Sequence, residues 1–293
     1  MNRQILGEMI SITIVIFWQN GMMLAFHSMS QDHTLMASRY ELKYLIPQRL
    51  AVQVRGFVRQ YLELDEFGSN GANFDYPVHS LYLDTDDWQI YWRTVNGDRN
   101  RFKLRIRYYS ESDNIPVFWE IKRRMKDIIL KQRCGIWRSA ADRVLNGQLP
   151  VAHDMMSPQV PSELNAIQEF FRLQYNLGAV GKMHVAYNRE AYVNSHNNEA
   201  RVTFDRHVRV ETRFDQSLIT QMKKPFVCTG TGDDPDDVVI LELKFSGRFP
   251  NWYRELVQAF HLTQTGAAKY IEGTTIYAGR EMAAIDVVRN MVL

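Results

Sequence analysis

The sequence contains few cysteines and lacks the short motifs that mark several common enzyme classes. Only Cys134 and Cys228 occur among its 293 residues, too few for a disulfide framework or a zinc site, which favours a reducing compartment. No segment fits a glycine-rich nucleotide-binding loop, a His-Glu-x-x-His zinc motif or a Gly-x-Ser-x-Gly nucleophile turn. These absences argue against P-loop, Rossmann, zinc-protease and serine-hydrolase chemistry.

A long apolar run is also missing. The nearest candidate, Met9–Phe17, is short, follows Glu8 and precedes polar residues. Residues 1–36 resemble a poor secretory signal or a weak membrane anchor, and we prefer a third interpretation, a start mis-assigned upstream of Met36. We expect one domain over residues 37–285 and a tail over 286–293. The predicted location is cytoplasmic, and membrane association is expected only through the N-terminal segment.

The chain has no large excess of charge of either sign. Its 35 lysines and arginines exceed its 33 acidic residues by a net charge of only +2. A general nucleic-acid binder would normally carry a much more basic balance, so we expect no nucleic-acid partner. Cations are instead concentrated in particular segments and offset by acids elsewhere.

The strongest concentration of cations alternates with apolar residues between Arg101 and Arg107. Side chains in a strand alternate faces, so this segment predicts a strand with one basic and one apolar face. The basic face consists of Arg101, Lys103, Arg105 and Arg107. Like charges repel one another, and a bound polyanion would explain their alignment. A solvated, salt-bridged outer face is the alternative.

Similar alternation recurs in other segments that are predicted to be strands. Three Glu-x-Lys pairs are present: Glu41 with Lys43, Glu120 with Lys122, and Glu242 with Lys244. Basic residues with the same parity include Lys131, Arg133 and Arg201. Each pair alone is typical of a surface salt bridge. Together they predict an α+β fold in which an antiparallel β-barrel forms a tunnel lined with cations and is flanked by helices.

The three glutamates of these pairs are candidate metal ligands. Glu41, Glu120 and Glu242 offer oxygen ligands to Mg²⁺ or Mn²⁺, and phosphate oxygens would complete the coordination shell. The alternative is that the carboxylates only neutralise nearby lysines. We prefer the metal role for Glu242, and both interpretations stay open for Glu120.

The ordered motifs resemble those of the VTC domain, the polyphosphate polymerase domain of the vacuolar transporter chaperone complex, in the triphosphate tunnel metalloenzyme superfamily. The motifs that carry this resemblance are Arg39–Tyr44, Ser80–Asp84, Lys103–Tyr108, Trp119–Lys122, Tyr187–Arg189, Arg201–Asp205, Leu241–Lys244 and Lys269–Tyr270. Each motif is short, but eight of them in the family's order are specific. The resemblance covers the chain from about Arg39 to Tyr270.

The resemblance implies a tunnel in which the terminal phosphate of ATP is added to a growing polyphosphate chain. It implies catalytic roles for Lys43, Arg105, Arg107, Lys122, Arg189 and Lys269, and phosphate binding by Arg201. It also implies that Glu242 holds the metal with Lys244 beside it. Lys103 and Lys131 are added as phosphate-binding residues, and Arg101 as a further candidate, because alternation along the strands puts them on the same face as the motif residues. Arg206 is left out because it lies on the opposite face from Arg201.

The acceptor of the phosphate is left open by this resemblance. Related tunnel enzymes hydrolyse inorganic triphosphate or cyclise ATP in a similar lumen. A non-catalytic module that binds polyphosphate or nucleotide is a further alternative. A basic strand that faces solvent would instead predict comparable affinity for DNA or RNA.

Overall fold

The computed structural model describes residues 39–68, 74–126, 128–194, 199–212, 217–223, 226–227 and 237–278. The predictions for residues 1–36 and for the tail over 286–293 lie outside these residues, as does Cys228. Among the helices that the structure describes, none has both the length and the apolar character needed to cross a bilayer.

The described chain folds into one antiparallel sheet with helices packed against it, as the α+β prediction requires. The strands are β1 (Arg39–Pro47), β2 (Glu63–Leu64), β3 (Tyr76–Asp84), β4 (Asn100–Tyr108), β5 (Pro116–Met125), β6 (Ile128–Trp137), β7 (Val180–Val193), β8 (Ala200–Thr212), β9 (Phe226–Val227) and β10 (Val238–Ser246). The helices are α1 (Gln48–Val58), α2 (Gln89–Val95), α3 (Arg138–Leu145), α4 (Pro161–Leu177), α5 (Asn251–Ala259) and α6 (residues 269–278).

The sheet is an open path rather than the closed barrel that the sequence predicts. Its strand order is β1-β10-β8-β7-β3-β4-β5-β6, with β2 paired to β7 and β9 paired to β8. Among the described residues, β1 and β6 do not pair with each other. The prediction of a closed barrel is therefore wrong for this part of the chain.

Short segments of chain lie along both end strands and take the place of a closing β1–β6 pair. On the β1 side, Thr265 donates its backbone N–H to the carbonyl of Lys43 at 2.9 Å. On the β6 side, Met156 donates to the carbonyl of Gly135, also at 2.9 Å. These contacts satisfy edge hydrogen-bonding groups that a closed barrel would pair between strands.

Although it is open, the sheet is strongly curved. In a flat sheet, strands about 4.8 Å apart would separate β1 from β5 by about 29 Å, because five strands lie between them. The side chains of these two strands nevertheless meet, with Lys122 Nζ 3.3 Å from Glu41 Oε2. The polar face of the sheet is therefore concave.

The opposite, convex face is apolar and is buried under the helices. Leu104 and Ile106 of β4 pack in a core with Ala141 of α3 and Phe170 of α4. A second core joins β8 and β10 to α1 and α5, and Val54 is one of its fully buried members. The helices thus cover the apolar side chains of the alternating strands and leave the charged side chains on the concave face.

Local sequence explains where the longest helix begins and ends. Pro161 occupies its first turn, where a missing N–H costs nothing and the fixed φ suits a helix. Gly178 follows its last residue with a φ of 64°, the left-handed conformation that commonly ends helices. Helix α4 packs against β5 and β6 and supports the strands that carry Glu120, Lys122 and Lys131.

Candidate active site

Strand register brings the predicted site residues together on the concave face. Residues directly opposite in an antiparallel pair share a face. The register pairs Lys43 with Glu242, Lys103 with Lys122, Arg105 with Glu120, and Lys122 with Lys131. The concave face carries every predicted site residue that lies on a strand: Glu41, Lys43, Lys103, Arg105, Arg107, Glu120, Lys122, Lys131, Arg189, Arg201, Glu242 and Lys244. The remaining one, Lys269, comes from the first turn of α6.

Glu242 lies at the centre of the largest group of cations. Its Oε1 is 3.3 Å from Lys43 Nζ and 3.4 Å from Lys269 Nζ. Its Oε2 is 2.5 Å from Lys244 Nζ and 3.4 Å from Arg189 Nη2. Burial alone would raise the pKa of Glu242, but Lys244 and the other cations outweigh it and hold the pKa well below its usual range. Glu242 is therefore an ionised carboxylate surrounded by positive charge.

Asp205 is a second buried carboxylate in this group, and the sequence analysis did not assign it a role. Arg189 binds it through two nitrogen–oxygen contacts of 2.7 Å, and Lys269 Nζ lies 2.6 Å from its Oδ2. The sequence could have indicated this position, because Asp205 lies on the same face of its strand as Arg201 and Thr203. Burial would lower the pKa of Lys269, but Asp205 and Glu242 reverse the effect and raise it above the usual lysine value.

Glu120 forms a separate group further along the concave face. Its Oε2 accepts a hydrogen bond of 2.6 Å from Arg105 Nε, and its Oε1 forms an ion pair with Lys131. Glu120 is 1% exposed, so these two cations compensate a buried charge. The structure thus shows the neutralising contacts that the sequence analysis considered for Glu120, while its role as a metal ligand stays a prediction.

Glu41 links the two groups across the concavity. Its carboxylate lies 3.2 Å from Lys43 Nζ on its own strand and 3.3 Å from Lys122 Nζ on β5. Lys43 contacts both Glu41 and Glu242, so these two predicted metal ligands share one lysine. Burial would raise the pKa of Glu41, but Lys122 and the neighbouring lysines hold it well below its usual range.

Arg107 differs from the other buried arginines in its partners. It is 8% exposed, and its nitrogens lie 3.3 Å from Ser80 Oγ and 3.1 Å from the Tyr187 hydroxyl. Within the described residues, no carboxylate lies within ion-pair distance of its guanidinium. A charged guanidinium held only by neutral hydroxyl groups is well suited to a phosphate, which arginine can bind through two parallel hydrogen bonds.

The remaining predicted cations lie near the ends of this region. Arg201 Nη2 is 3.0 Å from Asp65 Oδ2, a partner from the loop after β2 that the sequence analysis missed. Lys103 Nζ lies 5.9 Å from the ring centre of Tyr270. Arg206, which the sequence analysis left out, lies on the convex face, where it pairs with Glu190 and Gln48. The prediction that Arg206 faces away from Arg201 is confirmed.

The profile of the VTC domain matches residues 38–277, which include all of the site residues described above. The chain belongs to the VTC domain family. A search of curated proteins finds no match to the chain. Among solved structures, the PH1819 protein from Pyrococcus horikoshii OT3 is 14% identical, over 80% of this chain and 96% of that one, with a TM-score of 0.40.

The carboxylates of this VTC domain suit a divalent cation that is shared with phosphate. Mg²⁺ is commonly held by one or two carboxylates plus the phosphates of a substrate rather than by an all-protein cage. Glu242 and Glu41 can supply the carboxylate oxygens from either side of Lys43. In the described part of the chain, no three His, Cys, Asp or Glu side chains converge on one point, so phosphate oxygens would have to complete the shell.

We expect polyphosphate binding to this VTC domain to weaken as the pH rises. Burial lowers the pKa of Lys103 to about 8, with Lys122 adding to the effect and Tyr82 opposing it. Burial also lowers the pKa of Lys244 to about 8, against the effect of Glu242. Both lysines would attract an anion only when protonated, so we expect the affinity to be highest below this pKa and to fall as the pH rises through it. Calorimetric titration between about pH 7 and about pH 9 should show a loss of about tenfold or more, since each lysine can contribute up to about tenfold.

Replacing Lys103 by arginine provides the matched control. Arginine stays charged throughout this range, so Lys103→Arg should lose less affinity than the wild type. Ionisation of the polyphosphate itself is common to both proteins and cancels in the comparison. An identical pH profile in the two proteins would contradict a phosphate-binding role for Lys103.

Proposed function

We propose that this VTC domain is a metal-dependent phosphotransferase that adds the terminal phosphate of ATP to inorganic polyphosphate. The observation that carries the proposal is the continuous concave face, which collects cations from β1, β4–β8 and β10 and on which Lys43, Arg189, Lys244 and Lys269 surround the ionised Glu242. This excess of buried positive charge suits a ligand with many phosphates. Membership of the VTC family supports an activity related to polyphosphate.

The chemistry demands little covalent participation from the protein. Phosphoryl transfer requires the attacking oxygen, the phosphorus and the leaving oxygen in line, with their negative charge neutralised. A terminal oxygen of polyphosphate would attack the γ-phosphorus of ATP, and the bond to the β–γ bridging oxygen would break to release ADP. Lys43 and Lys269 both contact Glu242, and Arg107 and Lys269 both contact Tyr187. These three cations would hold the phosphates in a common orientation.

We assign a separate role to each type of group. Arg107 would bind phosphate oxygens bidentately, and Lys43, Lys244 and Lys269 would act as compact charges. Arg189, whose Nε and Nη2 already bind Asp205, would add positive charge beside them. A divalent cation held by Glu242, with Glu41 nearby, would supply further neutralisation of the transferring phosphate. Lys122 and Lys131 extend the cationic surface away from Glu242, in the direction in which a polyphosphate chain would lie.

The tunnel itself is part of this proposal. The contact between Lys122 and Glu41 spans the open side of the curved sheet through side chains rather than through backbone pairing. An extended polyphosphate would run between these two residues and the concave face of the sheet. A phosphate bound against this face would replace water beside the cations, and the lower local dielectric would strengthen its interaction with each of them.

The test is to incubate the full chain with ATP and Mn²⁺ and to resolve the products on a gel stained for polyphosphate, with free phosphate measured in parallel. A ladder of long chains together with ADP supports the proposal. Free phosphate without chains would replace it with a triphosphatase that uses the same lumen. Folded protein that forms neither product would contradict both enzymatic assignments.

We expect Arg107→Ala to weaken binding of tripolyphosphate by about tenfold or more, because the variant removes a charge-assisted bidentate contact. Lys122→Ala should also weaken binding, by a smaller factor, since lysine contributes a single more hydrated charge. Calorimetric titration with tripolyphosphate measures both. Arg49→Ala, which removes an exposed charge on α1, is the matched control and should leave the affinity unchanged. Wild-type affinity in both Arg107→Ala and Lys122→Ala would contradict the assignment of the concave face as the binding site.

A further inference from the structure

A cavity of about 460 Å³ lies at the end of the concave face, where β4 begins and β5 ends. It is lined by Gly97, Arg99, Arg101, Arg124 and Lys126. Every lining residue except the glycine is cationic, and none is acidic. We refer to these residues as the basic pocket. Its charge calls for an anionic ligand, and its volume is within the range typical of ligand-binding cavities.

The basic pocket continues the cationic face of the proposed active site. Arg101 pairs in register with Arg124, two residues along from the pair of Lys103 and Lys122. That pair is in turn two residues from Arg105 and Glu120. With a rise of about 3.3 Å per residue, the backbone of Arg101 lies about 13 Å from that of Arg105. From Glu242, a chain of side-chain contacts runs through Lys43 and Glu41 to Lys122. Arg124 lies two residues, about 7 Å, beyond Lys122 on β5. A polyanion extended along these contacts would therefore reach the basic pocket, and reaching it takes more phosphates than binding at Glu242 alone.

Backbone carbonyl groups hold the guanidinium groups of the basic pocket in place without neutralising them. Arg101 Nη1 donates to the carbonyl of Asp98 at 2.6 Å, and Arg124 Nε donates to the carbonyl of Lys126 at 3.0 Å. The backbone N–H of Lys126 donates to the carbonyl of Arg99 at 2.8 Å, which ties the two chain segments together. A carbonyl accepts a hydrogen bond but carries no net charge, so the positive charge remains available to a ligand.

The close approach of these cations has a cost that an anion would relieve. Burial lowers the pKa of Arg101, and Arg124 lowers it further, while Asp98 acts in the opposite direction. Like charges held side by side repel one another and destabilise the fold unless something offsets them. Around Glu242 and Glu120 the protein supplies carboxylates for this purpose, whereas the basic pocket has none in its lining.

We propose that the basic pocket is a subsite for the part of a polyphosphate chain that lies beyond the reacting end. This inference rests on the proposed function and extends it by separating two regions of one binding surface. The region around Glu242 binds the phosphates that react, and the basic pocket binds phosphates some distance along the chain. The pocket thereby selects long chains and retains the product between successive additions.

The test compares a short and a long ligand on one double variant, Arg101→Ala/Arg124→Ala. We expect its affinity for polyphosphate of tens of phosphates to fall about tenfold, which corresponds to about 1.4 kcal/mol. Its affinity for tripolyphosphate should stay within about twofold of the wild type, because that ligand does not reach the pocket. The polyphosphate chains that the variant makes should be shorter. Arg49→Ala/Arg254→Ala removes two exposed helical charges and controls for the change in net charge.

Equal losses for the short and the long ligand, or no loss for either, would overturn the subsite. Equally tight binding of single-stranded DNA of matched length, lost in the same double variant, would also overturn it in favour of a general polyanion surface. A different result would contradict the proposed function, namely a wild-type protein that makes no polyphosphate. A wild-type protein without polymerase activity that still prefers long chains through Arg101 and Arg124 would keep the subsite and refute only the reaction.

Discussion

Replacing Glu242 by glutamine should reduce polyphosphate synthesis by at least about 10²-fold while polyphosphate binding is retained or strengthened. Glutamine keeps the shape of the side chain and one carbonyl oxygen, but it loses the negative charge that Lys43, Lys244, Lys269 and Arg189 share. It also loses the carboxylate that we assign to the metal. Anion binding depends on the cations, which remain, so turnover and binding should separate. Synthesis of labelled polyphosphate and calorimetric titration with polyphosphate measure the two properties.

Two further variants test whether a loss of activity in Glu242→Gln reflects a loss of folding. Glu242→Asp keeps the charge but shortens its reach, so it should fold as the wild type does and still lose most of its activity. Glu255→Gln makes the same chemical change at an exposed position on α5 and should alter neither property. Turnover by folded Glu242→Gln at more than about a tenth of the wild-type rate would rule out Glu242 as the metal ligand. Loss of polyphosphate binding together with turnover, in protein that is still folded, would point to a structural role.

The alternation of polar and apolar residues predicted the faces of the strands well. Leu104 and Ile106 are buried against the helices, and Arg105 and Arg107 lie on the concave face, as the period of two requires. The same reasoning correctly separated Arg206 from Arg201. Facing depends only on the local backbone, and a single sequence contains that information.

Alternation could not predict which strands would be neighbours or how the sheet would end. Glu120 resembles Glu242 in sequence, yet β5 places it beside Arg105 and Lys131 rather than beside Lys43. The partners Asp65 and Arg201 lie 136 residues apart, and they meet only because β2 pairs with β7 and β7 with β8. Closure of a barrel depends on strand tilt and stagger, which no local pattern encodes. The open edges at β1 and β6 were therefore beyond prediction.

Removing the carboxylate of Asp84 should destabilise the domain by about 3–5 kcal/mol, the largest stability effect that we expect from a single substitution. Asp84 ends β3, is fully buried and accepts hydrogen bonds from the backbone N–H groups of Thr85, Ile90 and Tyr91 at 2.7–2.9 Å. Asp84→Ala would leave these N–H groups buried without this acceptor, at about 1–3 kcal/mol for an unsatisfied group. Urea unfolding followed by circular dichroism measures the change.

A fourth partner of Asp84, the side chain of Tyr270, connects this buried carboxylate to the candidate active site. The hydroxyl of Tyr270 donates to Asp84, and Tyr270 directly follows Lys269 in α6. Tyr270→Phe removes this one hydrogen bond, keeps the ring that stacks on Tyr82 with centroids 4.7 Å apart, and leaves the start of α2 intact. We expect it to cost only about 1 kcal/mol of stability. It should nevertheless lower the rate of synthesis severalfold, because Lys269 loses part of its support. Normal turnover in Tyr270→Phe would show that Asp84 stabilises the fold without positioning Lys269.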